Sequence, residues 1–99
     1  MTTQYEIQIH SPMGWIKALA DLTLDGDALS GSAKLLGQTV QLTDCIHEGG
    51  HYHFMAAPKL PFGVLEVTID ADITADGAVS GAANATHHRP MEIKGQKVS

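Results

Sequence analysis

Leu65-Glu66-Val67-Thr68-Ile69-Asp70-Ala71-Asp72-Ile73 alternates apolar and polar residues without a break. A helix brings residues three and four apart onto one face, whereas a strand brings every second residue there, so this stretch has the period of a strand with one buried face. Working outward, Tyr5, Ile7 and Ile9 alternate with Gln4, Glu6, Gln8 and His10, and Ile16, Ala18, Ala20, Leu22 and Leu24 form a longer row of the same kind. Shorter versions run at 28–36, 39–47, 51–57, 78–88 and 91–98. Turn-forming groups separate them: Ser11-Pro12-Met13-Gly14, Asp25-Gly26-Asp27, Gly37, Glu48-Gly49-Gly50, Pro58 to Gly63, Asp76-Gly77 and Arg89-Pro90. Short strands joined this tightly form an antiparallel meander, and no segment has the period of an amphipathic helix.

The two halves of the chain resemble each other. Pro12-Met13-Gly14-Trp15-Ile16-Lys17 aligns with Pro61-Phe62-Gly63-Val64-Leu65-Glu66, and the stretch from Leu24 to Ser30-Gly31 aligns with that from Ile73 to Ser80-Gly81 with one residue inserted. Val40 and Leu42 then correspond to Met91 and Ile93. Two internal repeats of four strands, at approximately 4–50 and 51–99, each have one apolar face that a single unit cannot bury. The expected architecture is therefore all-β: an eight-stranded antiparallel up-and-down barrel, which removes both exposed sheet edges. Ninety-nine residues leave room for one domain, 1–99. The turn pattern of both repeats, Pro-Met/Phe-Gly, then Asp-Gly, then Ser-Gly, resembles that of small bacterial calycin-like (lipocalin-like) barrels. That resemblance implies the fold and, loosely, a ligand cavity; it carries over no catalytic residue.

Composition narrows the function. Six Lys and Arg against eleven Asp and Glu leave a formal net charge of −5. A chain without a basic excess lacks the means to track phosphates or an anionic membrane, so neither nucleic acid nor membrane is an expected partner. A single Cys45 forms no intramolecular disulfide, and the first residues lack the basic and apolar regions of a signal peptide, so a cytoplasmic setting is expected. No nucleophile elbow, glycine-rich phosphate loop or redox-cofactor fingerprint occurs.

The inward parity of the strands is rich in Ala and Gly beside Tyr5, Tyr52 and Phe54. An eight-stranded barrel is just wide enough to be filled by side chains or to hold one small ligand. With Gly81, Ala83 and Ala85 inward, room is expected beside the 78–88 strand for a small apolar or aromatic molecule, touching Tyr5, Tyr52, Phe54, Ala83 and Ala85. A filled core, with a purely structural or interaction role, is the alternative. Asp44 and His87 share the inward parity. A carboxylate in an apolar barrel titrates upward unless paired, so a further alternative is a cofactor-free isomerase, lyase or cyclase with Asp44 as base and Tyr5, Tyr52 or His87 as proton donor or orienting group.

His47-Glu48-Gly49-Gly50-His51 spells the zinc-protease pattern H-E-x-x-H. That chemistry needs a helix, which two adjacent glycines between strand patterns do not support. In a hairpin with a three-residue loop at Glu48-Gly49-Gly50, His47 instead lies across from His51 on the outer face, with His53 two residues on. Three imidazoles there would form a zinc or other divalent-metal site; without metal they would lower one another's pKa, and stability would decline as pH falls through about 6.5. No other cofactor is implied. Trp15, Leu19, Leu36, Met55 and Val64 fall on the outer face, which favours a homodimer.

Overall fold

A computed structural model describes residues 2–11, 14–60, 63–85 and 89–98, with the side chain of Leu60 left aside. Ten strands follow one another: β1 (Thr2–Ser11), β2 (Gly14–Asp25), β3 (Ala28–Leu35), β4 (Gln38–Glu48), β5 (His51–Ala56), β6 (Lys59–Leu60), β7 (Gly63–Val64), β8 (Val67–Ile73), β9 (Ala78–Ala85) and β10 (Met91–Lys97). Eight of them close a barrel in the order β1-β10-β9-β8-β5-β4-β3-β2, all pairs antiparallel. The remaining two, β6 and β7, make a small hairpin inside a connection that reads as a turn in the sequence. Its residues pair with each other and not with the ring, so the eight-stranded barrel stands.

The two four-strand units occupy corresponding places around this ring. Within the first, β2 pairs with β1 and β3; within the second, β8 pairs with β5 and β9. The register carries the correspondence to single residues: Gln4 lies opposite Asp21 as His53 lies opposite Asp70, and Thr2 opposite Thr23 as His51 opposite Asp72. A Cβ on Gly31 would sit 2.8 Å from the Asp21 carbonyl oxygen, and one on Gly81 only 2.1 Å from that of Asp70. Aligned glycines thus let aligned neighbours approach, the close backbone contact by which small barrels bend their strands.

Inside, Tyr5, Ile7, Ala18, Leu22, Phe54, Val67, Ala71, Val79, Ala83, Met91 and Ile93 form one buried cluster. These are the inward residues of the alternating rows, as the period of two requires.

One strand breaks the alternation. In β4 the register runs Thr43↔Met55 and then Ile46↔His53, so Asp44 and Cys45 together oppose Phe54 alone. Such a bulge inserts one residue and turns every later side chain to the other face. Asp44 occupies it with φ 49°, a left-handed conformation that Asp tolerates better than a bulky residue does. Four side chains of β4 thus lie on the face opposite to the one that strict alternation predicts. Asp44 is exposed and not inward; Ile46, expected inside, is 61% exposed; and Cys45 and His47, expected outside, turn toward the interior and are half-buried. The hairpin also closes through two residues, Gly49-Gly50, because Glu48 pairs directly with His51. Gly49, at φ 60°, supplies the left-handed residue that the tight turn needs.

Candidate functional site

The barrel interior holds two adjoining cavities of about 80 Å³ each, set one above the other along its axis. The lower one, toward the Gly49-Gly50 turn, is walled by Tyr5, Ile7, Leu22, Phe54, Val79 and Ile93 among others. The upper one is walled by Ile16, Leu35, Val40, Pro58, Leu65 and Met91 among others. Ile9, Ala18, Ala33, Leu42 and Ile69 border both. At this waist Ala18 and Ala33 leave space that larger side chains would have filled. Among the described residues no large side chain is sealed completely, and no polar or charged residue is buried.

The connection between β5 and β8 covers the upper cavity. Pro58 is buried, and its carbonyl accepts a hydrogen bond from Leu65 N at 3.0 Å, which closes the base of the β6–β7 hairpin. The Gln38 side-chain amide then fastens the hairpin to β4: Oε1 accepts from Lys59 N at 3.0 Å, and Nε2 donates to the Lys59 carbonyl. At the lower end the rings of His47, Tyr52 and Phe54 stack in sequence, with centroids 5.8 and 6.3 Å apart and planes within about 21° of each other. Burial, and secondarily the neighbouring Tyr52, pushes the Tyr5 phenol above its usual pKa. Burial, then the Asp44 carboxylate, does the same for the Cys45 thiol, which makes it a poor nucleophile.

Of the residues expected to touch a ligand, Tyr5 and Phe54 line the lower cavity and Ala83 the upper. Tyr52 and Ala85 pack against the core but border neither space. Asp44, the expected base, lies outside the barrel on the bulge, so it does not face an interior substrate. His87 lies outside the described residues.

The three-histidine arrangement is not formed. Its premise was a hairpin without a bulge. The extra residue sends His47 inward opposite Tyr52, while His51 and His53 stay on the outer face. There they meet two residues that the sequence reading passed over. His51 Nδ1 lies 3.0 Å from Asp72 Oδ1 and its Nε2 3.4 Å from Asp70 Oδ1, and His53 Nδ1 lies 2.8 Å from the same Asp70 oxygen. Among the described residues no group of three His, Cys, Asp or Glu side chains is placed to hold a metal ion. The His51 pKa is raised and not lowered as expected: the Asp72 hydrogen bond acts most strongly, desolvation by burial opposes it, and the Asp70 hydrogen bond and both carboxylate charges add to the rise. The Asp70 pKa is lowered, chiefly by the hydrogen bond from His53.

On the outer face Trp15 is half-exposed, with its ring stacked on His10 at 4.5 Å and the Lys94 ammonium 4.5 Å from its centroid. No helix among the described residues is long and apolar enough to cross a membrane. Compared with protein-family models, curated proteins and solved structures, the chain matches none. Fold and site therefore define a class by geometry alone: a small closed meander barrel with an apolar, partly hollow interior.

Proposed function

We propose that this barrel binds a small apolar or aromatic molecule in its interior, as a carrier, sensor or accessory domain. The observation that carries the reading is the pair of adjoining cavities walled by aliphatic and aromatic side chains. An apolar cavity of about 150 Å³ stays dry and takes up benzene, and the two spaces together are on that scale. The ligand class is thus a single ring or a short hydrocarbon, and a long acyl chain or a large cofactor is too big. Binding would gain the dispersion contacts that the unfilled walls lack. No cofactor enters this reading. A ligand-holding interior is also what the resemblance to calycin-like barrels implies, and the cytoplasmic setting and the homodimer expected from the sequence belong to the same proposal.

Ala83→Leu tests it, because Ala83 borders the upper cavity and is 3% exposed. Wild-type protein should melt higher in saturating benzene or toluene, since a ligand of the folded state stabilises by mass action. The variant should fold with a stability within about 1 kcal/mol of wild type, because the new methyl groups enter existing space. Its melting temperature should no longer respond to either compound. A wild-type protein indifferent to benzene, toluene and short alkanes would sink the proposal. So would a cost of about 3 kcal/mol in the variant, the mark of a core already full.

A further inference from the structure

On the outer wall of β5 and β8 one histidine stands between two carboxylates. His51 presents Nδ1 to Asp72 Oδ1 at 3.0 Å and Nε2 to Asp70 Oδ1 at 3.4 Å. Both partners are carboxylate oxygens, which only accept. The first contact is a hydrogen bond and the second an ion-pair approach, so a neutral imidazole keeps only the first, whereas the imidazolium attracts both carboxylates. Asp70 Oδ1 also faces His53 Nδ1 at 2.8 Å, so His51 joins two cross-strand rungs into one network.

We propose that His51 is a pH-operated clasp on the lower half of the β5–β8 seam, tying Asp70 and Asp72 together as the imidazolium and releasing one of them when it loses a proton. The groups around it favour the charged form. Glu48 of β4 stands opposite His51 in register, Asp70 and Asp72 come from β8, and Ile46 of β4 stands opposite His53. Ala82 and Ser80 of β9, which face Asp70 and Asp72, add no charge. The corresponding rungs of the other half use no titrating base: the Thr2 and Thr23 hydroxyls share a hydrogen bond of 2.8 Å, and Gln4 Nε2 donates to Asp21 Oδ1 at 3.2 Å. The molecule thus closes equivalent seams once with a pH-sensitive base and once without. The clasp also backs the cavity, since Phe54, Ile69 and Ala71 on the inner face of the same two strands line its lower part. It stands, however, on the outer geometry alone and holds whether or not a ligand enters.

The test uses the full chain in buffer containing EDTA, so that adventitious metal does not mimic the effect. Backbone amide protection is measured by NMR hydrogen exchange along β5–β8 and along β1–β2, at about pH 6 and about pH 8. Protection in β5–β8 should fall about threefold to tenfold relative to β1–β2 over this interval, the range open to a pair of exposed ionic rungs. In the variant His51→Thr/His53→Gln/Asp72→Thr, which copies the side chains of Thr2, Gln4 and Thr23, the two seams should respond alike. Equal change in both seams of the wild type overturns the proposal. Should the variant fail to fold, the His51 Cε1–H titration in wild type decides. A midpoint above about 6.5 that drops in Asp72→Asn supports the clasp, and a midpoint at or below about 6.5 overturns it.

Discussion

In the first half of the barrel Thr2 meets Thr23 and Gln4 meets Asp21; in the second half, at the corresponding register positions, His51 meets Asp72 and His53 meets Asp70. The inner faces of these strands share one character: both are apolar, with Tyr5 and Phe54 buried at corresponding positions. The barrel therefore demands shape on the inside and only complementarity on the outside, where cross-strand neighbours of several chemistries close a rung equally well. What differs is the response to pH. The His51 pKa is raised in the folded chain, so its contribution is fully present below about pH 6.5 and is lost as pH rises through the folded value. The Asp70 pKa is lowered, so its contribution is present above about pH 4 and lost as pH falls through the folded value. Both act together between about pH 4 and pH 6.5, and only in the second half. Mild acidification from neutral pH should thus stabilise this wall, the reverse of what three unpartnered imidazoles would do.

The comparison can be broken hardest at the paired glycines. Gly81→Ala should cost about 3 kcal/mol or more, because its Cβ would fall 2.1 Å from a backbone oxygen that cannot rotate away. Gly31→Ala should cost about 1–2 kcal/mol, since part of its conflict is with the flexible end of Leu22. Urea unfolding of the two variants gives the order, and equal costs would mean that the halves bend alike. The bulge comes next, because it interrupts the β4–β5 pairing, whereas the corresponding β10–β1 pairing keeps unbroken register from Ile93 to Lys97. Asp44→Val should cost about 1–2 kcal/mol by forcing a β-branched residue to positive φ, whereas Asp44→Gly should stay within about 0.5 kcal/mol. The smallest effect is in the rungs themselves. Double-mutant cycles at about pH 6 should give a coupling of about 0.5 kcal/mol for His53 with Asp70 and a few tenths for Gln4 with Asp21. Added salt at about 0.5 M should erase most of the difference, because Gln4 carries no charge to be screened.

The period of two in residues 65–73 and its counterparts was enough to read the barrel, because every inward row is apolar and a shift of one residue would expose it. Tyr5, Phe54 and Ala83 could be placed on the cavity wall for the same reason. The bulge was hidden, although its sign lay in the open: Asp44 is a polar residue at an inward position between Leu42 and Ile46, which either pays for burial or marks a break in parity. That break decided the fate of His47, and with it the metal arrangement. Asp70 and Asp72 were missed because the long connection from Ala57 to Glu66 leaves the β5–β8 register unset, whereas a two-residue hairpin turn would have fixed which residues face His51 and His53. The internal likeness offered a route to them, since Asp70 aligns with Asp21 and Gln4 lies opposite it.

Closure of the ring has a kinetic side. Seven of the eight barrel pairings join strands that follow closely along the chain, but β1 and β10 meet from its two ends, with Tyr5 beside Lys97 and Val98 N bonded to the Gln4 carbonyl. That last seam closes by far the longest loop, so it should form late and set the rate. Joining the ends and reopening the chain between Gly49 and Gly50 would leave every rung in place yet make β4–β5 the distant pair. Folding of the permuted chain would then wait on the seam that holds the bulge and would proceed at a different speed to the same native structure.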